Sequence, residues 1–484
     1  MDNLEEKTKQ NSGLSREKKY SILLKDTAIF AIGSLGSKVI LFFLVPLYTN
    51  YLTSAEYGIA DLVTTFSQLL IPLSSLAISN AVIRFGMMKS EKPENVLKSA
   101  FVVLGFSVLL VTAMIPVIGL YGPIHEWRYY LVLQVIITNA AEIERTYLKV
   151  KNRNKTFSLI SIGETLVLAC TNILLLVVKD LGVRGYLIAN LAAAFFCVAA
   201  AFIAGNIFSD LRKGDVKGSL IKRMITYSAP LILSNISWWV FHSSDKIMIE
   251  WMITSSALGI YTAATKIPSL INVITAIFNQ AWGISSIREI ESTSEGSFFR
   301  SVFRLYCTFN FGACVSINTF IKPLMNVYVG SEFREAWMYA PLLLSAAVFY
   351  SVTAFLGSIY AAIQKTKNDM WTTVMSAIIN IIVNYFGIKY LGVWGAVIGT
   401  LTAYIVCSAV RLADLNRLIK FSIEPSYLIN SCVLLIQSAC ISLGVNPLPV
   451  SAAAIIAFAA INRKEIFLIA GKVLLLLKKR SGGV

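Results

Sequence analysis

The chain has 484 residues, of which 56% are hydrophobic and 14% are charged, and it carries a formal net charge of +16. A soluble globular domain has about 25% charged residues, so the composition excludes an ordinary water-soluble protein and predicts an integral membrane protein. The lysines and arginines are concentrated in short segments between apolar runs rather than on one basic surface, which argues against a nucleic-acid-binding protein.

Apolar runs of about 18–25 residues recur throughout the sequence, and a helix of that length crosses a hydrocarbon core of about 30 Å. Strands of alternating polarity, which are typical of membrane barrels, are not seen in the sequence. We therefore predict an all-α membrane protein with about fourteen transmembrane helices, which we number as spans 1–14. The predicted spans cover residues 27–48, 61–83, 99–120, 129–148, 157–178, 183–208, 224–248, 258–282, 303–321, 336–360, 370–387, 393–412, 427–443 and 449–461.

Lysine and arginine accumulate on the cytoplasmic side of short loops, so their distribution tests the spans independently. Outside the two tails, most of them lie in every second loop, at residues 84–98, 149–155, 212–223, 288–304, 365–367 and 411–420. This alternation predicts that both termini are cytoplasmic. Residues 1–24 lack the apolar core of a signal peptide and are expected to form a cytoplasmic tail, and residues 464–484 are expected to form a basic amphipathic one.

A weak repeat connects distant parts of the sequence. YLTSAEYGIA, at residues 51–60, returns as WMITSSALGIY, at residues 251–261, so that Gly259 lies 201 positions after Gly58. A second motif, LGVRGYLIANLAAAF, begins at Leu181 and returns 210 positions later as LGVWGAVIGTLTAYI. Two similar halves in such an apolar chain are typical of transporters.

The repeat divides the first twelve spans into two groups of six. Since six is even, both groups have the same orientation and are related by an axis along the membrane normal. We predict an N-lobe at residues 25–215 and a C-lobe at residues 216–420, with pseudo-two-fold symmetry. Spans 13 and 14, at residues 421–463, stand outside the repeat.

Motifs of common enzymes are missing from the sequence. No GxxxxGK[ST], HExxH or GxSxG segment occurs, and the spans leave no soluble domain, so we expect neither an ATPase nor another enzyme. A membrane-embedded glycan ligase or polymerase would normally carry a long periplasmic loop, whereas the predicted outer loops are short. The seven cysteines lie in apolar runs without CxxC spacing and are expected to be packing residues, and we expect no cofactor or metal site.

Several segments resemble the polysaccharide flippases of the Wzx (O-antigen) type. They are YLTSAEYGIADL before span 2, NAVIRF at the end of span 2, and SNISWWVFHSSDKIMI, ALGIYTAATKIPSL and AIFNQAW through spans 7 and 8. These flippases belong to the MOP superfamily, which also contains the lipid II flippases and the MATE drug exporters. The resemblance extends from about Lys25 to Leu415, and spans 13 and 14 resemble the helices that form a lipid-tail groove in lipid flippases.

The resemblance implies a transporter that flips an undecaprenyl-pyrophosphate-linked oligosaccharide from the cytoplasmic to the outer leaflet of a bacterial inner membrane by alternating access. Its implied partners are that lipid-linked oligosaccharide, membrane lipids and other glycan-assembly proteins, without nucleic acid, and the chain is expected to act as a monomer. Two other kinds of transporter remain as alternatives, a MATE-like cation-coupled drug exporter and a lipid II flippase. A drug exporter is expected to have an acidic cavity, whereas Lys38 and Lys266 suit an anionic substrate.

A sugar pyrophosphate needs a wet cavity with cations, so charged residues inside the spans are candidates for substrate binding. Lys38 lies roughly 20 Å along span 1 from Lys25, too deep for its amine to reach either interface easily. The alternative is a lysine buried against a carboxylate. Lys266 lies about 12 Å into span 8 beside Pro268, which can break the helix locally; its amine faces the cavity or extends outward to the interface.

Further candidates lie near predicted helix ends. Asp245 and Lys246 are near the outer end of span 7, where Asp245 is expected to meet Lys38 or Lys266 across the lobe interface, unless the pair simply marks a helix end among lipid headgroups. Arg84 is expected to capture phosphate at the cytoplasmic mouth, since arginine binds phosphate bidentately. For Arg145, a membrane anchor or an intrahelical pair with Glu142 is the alternative.

Aromatic and titratable side chains complete the set. Trp238 and Trp239 lie roughly 17 Å into span 7, too deep for the interfacial aromatic belt. At least one of them is expected to stack on a sugar ring or to close the cavity, and the other to pack in the core. His242 and Glu164 are candidates for coupling transport to protons, although a single histidine is more often a hydrogen-bonded packing residue.

Overall fold

The computed structural model describes residues 36–88, 90–292, 297–421 and 424–467. The predicted N-terminal tail lies outside the described residues, as does the predicted C-terminal tail beyond residue 467. In chain order, the helices are α1 (36–51), α2 (Ser54–Ser74), α3 (Ile78–Gly86), α4 (Pro93–Ala113), α5 (Ile115–Ile118), α6 (Arg128–Val150), α7 (Asn154–Asn172), α8 (Gly182–Ala204), α9 (Ile207–Lys213), α10 (Gly218–Met252), α11 (Ser255–Ala264), α12 (Ser269–Ser292), α13 (Ser297–Thr319), α14 (Ile321–Tyr328), α15 (Ala336–Ala362), α16 (Thr366–Leu391), α17 (Val393–Ile419), α18 (Pro425–Ser442) and α19 (Pro447–Ile461).

The predicted all-α architecture is confirmed, since the described part of every predicted span falls on a helix or on a pair of consecutive helices. Within the described residues, seven helices are long and apolar enough to cross a membrane, and nine if each bent pair counts as one. The predicted total of fourteen transmembrane helices is not confirmed. One reason is that some helices carry too many charged residues to be counted as apolar: α6, for example, has Glu142, Glu144, Arg145 and Lys149 in its second half.

Two bent helix pairs correspond to spans 2 and 8. The axes of α2 and α3 differ by 52°, and those of α11 and α12 also differ by 52°. The second bend ends at Pro268, as the sequence predicts, because proline cannot donate the backbone hydrogen bond that would continue α11. Both bends interrupt what the hydropathy pattern presents as continuous helices.

The second repeat motif has a structural counterpart. Gly182, the first residue of α8, has a backbone φ of 52°, and Gly392, 210 positions later and directly before α17, has a φ of 59°. Positive φ is easily adopted by glycine and unfavourable for residues with a Cβ atom. The two halves of the chain therefore share the same turn chemistry at equivalent helix junctions.

The chain forms two compact units. The first contains the described residues up to Leu44 together with Val63–Ile236, and the second contains Val45–Leu62 together with the described residues from Ser237 onward. Each has its own buried apolar core. The predicted lobe boundaries at residues 215 and 420 stay a prediction. The short segment Val45–Leu62 brings the first copy of the YLTSAEYGIA repeat into the second unit.

Candidate functional site

The two copies of the YLTSAEYGIA repeat contact each other inside the second unit. A Cβ atom added to Gly58 in α2 would lie 2.0 Å from the backbone oxygen of Ser255. A Cβ atom added to Gly259 in α11 would lie 1.9 Å from the backbone oxygen of Ser54. Because such distances are sterically forbidden, only glycine at both positions allows the two helices to approach this closely. We call this the repeat contact.

Hydrogen bonds surround the repeat contact. The Oγ atoms of Ser54 and Ser256 are 2.5 Å apart. Glu332, in the short 3-10 helix Ser331–Phe333, accepts hydrogen bonds from the backbone N (3.0 Å) and Oγ (2.7 Å) of Ser54, at the start of α2. These two bonds hold the pKa of the Glu332 carboxyl below its usual range, because they stabilise the charged form. Glu332 therefore caps α2 from a distant part of the chain.

Two turns along α2 from Ser54, Asp61 lies between Lys246 and Lys266, two lysines that flank the second repeat copy. Its carboxylate is 2.8 Å from Lys246 Nζ and 4.0 Å from Lys266 Nζ, and Thr262 Oγ1 donates to it at 3.1 Å. Lys266 also lies over the ring of Tyr57, 5.7 Å from its centroid. We call these residues the charged cluster. Its two lysines share one acid, and the longer distance leaves Lys266 the less neutralised of the two.

Asp245 lies next to Lys246 in sequence and is buried. It accepts hydrogen bonds from the Tyr261 hydroxyl, from Thr400 Oγ1 at 3.3 Å and from the backbone N of Lys246 at 2.9 Å. The prediction that Asp245 meets Lys266 is therefore wrong, because Lys266 pairs with Asp61 instead. The pairing of Asp245 with Lys38, which belongs to the other unit, stays a prediction.

In the first unit, Lys38 lies half-buried in α1 and forms no ion pair or hydrogen bond with the described residues of that unit. The adjacent Ser37 Oγ donates to the backbone oxygen of Ser161 at 3.2 Å, which fixes this part of α1 against α7. The alternative of a lysine paired with a carboxylate is not found among the described residues of this unit. Arg84 is exposed in the last turn of α3.

Two sequence candidates of the first unit pair with each other. Arg145 Nη1 and Glu164 Oε2 are 2.8 Å apart, joining α6 to α7. The alternative of an intrahelical Glu142–Arg145 pair is wrong, because Glu142 instead accepts a hydrogen bond from Ser79 Oγ at 3.1 Å. Arg145 and Glu164 thus form a half-buried ion pair between neighbouring helices.

The aromatic candidates lie on α10 in the second unit. Trp238 stacks on the ring of His242, with centroids 5.5 Å apart, and His242 Nδ1 lies 2.7 Å from the Tyr404 hydroxyl. Trp239 is half-buried on the same helix. His242 is therefore hydrogen-bonded, as the alternative interpretation expected, although its ring is exposed to a cavity.

A separate cavity in the first unit has uncharged polar walls. It has a volume of about 190 Å³, and its polar lining residues include Thr64, Ser67, Gln68, Gln134, Thr138 and Asn190. Amides and hydroxyls of this kind exchange hydrogen bonds with sugar hydroxyls. The described residues contain no group of three or more His, Cys, Asp or Glu side chains placed to hold a metal ion.

Sequence reasoning missed Asp61. It lies at the start of span 2, and a single acid at a predicted helix end does not by itself indicate a site. Its lysine partners are 185 and 205 positions away in the sequence. The repeat contains the usable signal. Under the offset of 201, Asp61 aligns with Thr262, so an acid in one copy replaces a hydroxyl in the other, and the structure brings these two side chains together.

Comparison with known proteins gives a consistent result. The family described as "Polysaccharide biosynthesis protein" matches residues 23–282, just over half of the chain. A relative from Haloferax volcanii, named "Probable low-salt glycan biosynthesis flippase Agl15", is 24% identical over 320 residues. That alignment covers 62% of this chain and 63% of the relative, so the chain spans less than two thirds of the relative's length.

Solved structures share the fold. A lipid II flippase, MurJ, in an inward closed conformation aligns with a TM-score of 0.66 at 14% identity, covering 92% of this chain and all of that one. The Vibrio cholerae MATE transporter VcmN aligns with a TM-score of 0.57 at 15% identity, covering 84% of this chain and 98% of that one. At these identities, the likeness establishes a common helical architecture.

Proposed function

Because the chain belongs to the polysaccharide biosynthesis protein family, we propose that it flips an undecaprenyl-pyrophosphate-linked oligosaccharide from the cytoplasmic to the outer leaflet of a bacterial inner membrane. Both termini are then cytoplasmic, as the distribution of lysine and arginine predicts. The relatives are named flippases and transporters, which supports a transporter rather than an enzyme.

The observation that carries this proposal is a set of lysines within apolar helices. Lys38 forms no ion pair with the described residues of its own unit, and Lys246 and Lys266 both approach Asp61, with Lys266 Nζ at the longer distance of 4.0 Å. A charge at the middle of a bilayer costs roughly 2.5–3.5 kcal/mol on the insertion scale, so unpaired lysines there imply an anionic ligand or a wet cavity. A pyrophosphate supplies the missing negative charge.

The repeat contact supports alternating access. Gly58 and Gly259 pack backbone to backbone, so this contact excludes substrate while it is formed. Opening this side of the protein requires the two repeat copies to separate, which also separates Asp61 from Lys246 and Lys266. We propose that the pyrophosphate replaces Asp61 as the partner of Lys266, so that substrate binding and separation of the contact favour each other.

Depletion of the chain in its native cell tests this proposal. We expect lipid-linked oligosaccharide to accumulate with its glycan accessible from the cytoplasm only. Accumulation of lipid II instead would favour a lipid II flippase, the rival with the same pyrophosphate chemistry. Normal glycan export together with increased sensitivity to cationic drugs would contradict the proposal and favour a MATE-like exporter.

A further inference from the structure

A cavity of about 370 Å³ lies within the second unit, away from the charged cluster and its ion pairs. Its lining residues include Trp238, His242, Tyr350, Gly357, Asp369 and Arg411. Small-molecule sites in proteins have volumes of about 300–1,000 Å³ and combine aromatic walls with a few fixed polar groups. The cavity has the size and the composition of such a site.

One wall of the cavity is aromatic and held in place by its own contacts. The rings of Trp238 and His242 are stacked with an angle of 14° between their planes. The Tyr350 ring stands edge-on to His242, with centroids 5.1 Å apart. The hydrogen bond between His242 and Tyr404 fixes the centre of this wall. Because these rings are already ordered, a ligand that stacks on Trp238 loses little entropy on binding.

The polar wall is built around one buried ion pair. Arg411 is fully buried, and its Nη2 lies 2.7 Å from Asp369 Oδ1. The guanidinium also donates to Thr372 Oγ1 (3.0 Å), to the Thr353 backbone oxygen (2.9 Å) and to Thr373 Oγ1 (2.8 Å). Arg411 is therefore occupied by the protein, and its role toward a ligand is to position Asp369.

Asp369 is the group that faces the cavity. One third of its side chain is exposed, and its second carboxylate oxygen accepts no hydrogen bond from the described part of the chain. Gly357 keeps space for the pair, since a Cβ there would lie 2.6 Å from Arg411 Nη1 and 3.0 Å from Asp369 Oδ1. The cavity thus offers a fixed hydrogen-bond acceptor opposite an aromatic surface.

We propose that this cavity binds one uncharged sugar ring of the transported glycan. The apolar face of the ring stacks on Trp238, and its hydroxyls donate to Asp369. A phosphate is disfavoured because Asp369 is an anion, and an organic cation is disfavoured because the adjacent Arg411 already neutralises that anion. The assignment rests on the proposed function, since it takes the glycan as the substrate.

The test is binding of the free glycan to the full chain in lipid nanodiscs. The probe is the oligosaccharide released by mild acid from the lipid-linked pool of the native cell, which has neither lipid nor phosphate. We expect Trp238→Leu to weaken its binding about tenfold, as loss of an aromatic stack implies. The matched control is Trp251→Leu, an exposed tryptophan at the end of the same helix, with wild-type affinity expected.

A second variant addresses the polar wall. Asp369→Asn keeps the shape of the side chain and removes its charge, and we expect it also to weaken binding of the released oligosaccharide. Thermal unfolding of each variant separates loss of binding from loss of folding. If a variant unfolds early, the less invasive Trp238→Phe, which keeps a smaller ring, is expected to give an intermediate affinity.

Unchanged affinity of well-folded Trp238→Leu would overturn the proposal. Tighter binding of tetraphenylphosphonium than of oligosaccharide, lost in Trp238→Leu, would also overturn it and assign the cavity to organic cations. The binding readout does not depend on transport. A wild-type chain that binds the sugar but moves no lipid-linked oligosaccharide would contradict the proposed function while leaving the sugar site intact.

Discussion

Gly58 and Gly259 lie 201 positions apart in the sequence and pack against each other's helices in the structure. Each occupies the same place in its copy of the repeat, and each faces the first turn of the other copy. The contact is therefore self-complementary, like the interface of a two-fold dimer built within one chain. The repeat is thus a pair of surfaces made to fit each other, as well as a sign of common architecture.

Replacing Gly259 by alanine should disrupt the repeat contact. The added methyl group would overlap the Ser54 backbone oxygen, and such overpacking typically costs about 1–3 kcal/mol. We expect Gly259→Ala to lower the midpoint of thermal unfolding in detergent and to slow transport. Gly105→Ala is the matched control, because a Cβ at Gly105 meets nothing within 4 Å. Equal stability of the two variants would argue against the close contact.

Neutralising Asp61 should impair the charged cluster. In Asp61→Asn, Lys246 and Lys266 lose the carboxylate that they share in a half-buried site, so we expect a loss of roughly 1–3 kcal/mol of stability and a large loss of transport. Adding Lys246→Met to Asp61→Asn should restore part of the stability, since it removes one of the uncompensated charges. A double-mutant cycle measures this coupling, and strictly additive effects would contradict the ion pair.

Glu332 should make the stability of the second unit depend on pH in the acidic range. Its pKa is lowered in the folded chain by the hydrogen bonds from Ser54, so its contribution is present above the unfolded pKa and is lost as pH falls through the folded pKa. We expect Glu332→Gln to be less stable than wild type at pH 7, with the difference shrinking below about pH 4.5. Thermal unfolding between pH 7 and pH 4 measures it. A constant difference would contradict the hydrogen-bonded carboxylate.

Local patterns in the sequence were sufficient to predict the helices, the repeat and the bend at Pro268. These features depend on hydropathy, turn chemistry and proline geometry, which act over a few residues. Pairings across the fold were not predictable in this way. Arg145 has Glu142 one turn away in its own helix but pairs with Glu164 in the next one, because packing of α6 against α7 decides which acid is within reach.

The charged cluster shows the same limit more strongly. Asp61 and Lys246 form an ion pair only because the two repeat copies pack against each other. Neither hydrophobic periodicity nor the distribution of charged residues along the sequence predicts that packing. The repeat alignment was the one sequence feature that pointed to it. Asp61 and Thr262 occupy equivalent positions at which the two copies differ, and both belong to the charged cluster.

Transport by the purified chain in proteoliposomes tests the central claim most directly. The substrate is undecaprenyl-pyrophosphate-linked oligosaccharide, and the readout is the rate at which its glycan becomes accessible to an impermeant glycosidase. We predict faster translocation than in protein-free vesicles, at least about tenfold slower translocation by Lys38→Ala, and wild-type rates for the exposed-lysine control Lys179→Ala. Wild-type vesicles that translocate no faster than protein-free ones, or a Lys38→Ala variant with the wild-type rate, would contradict the account.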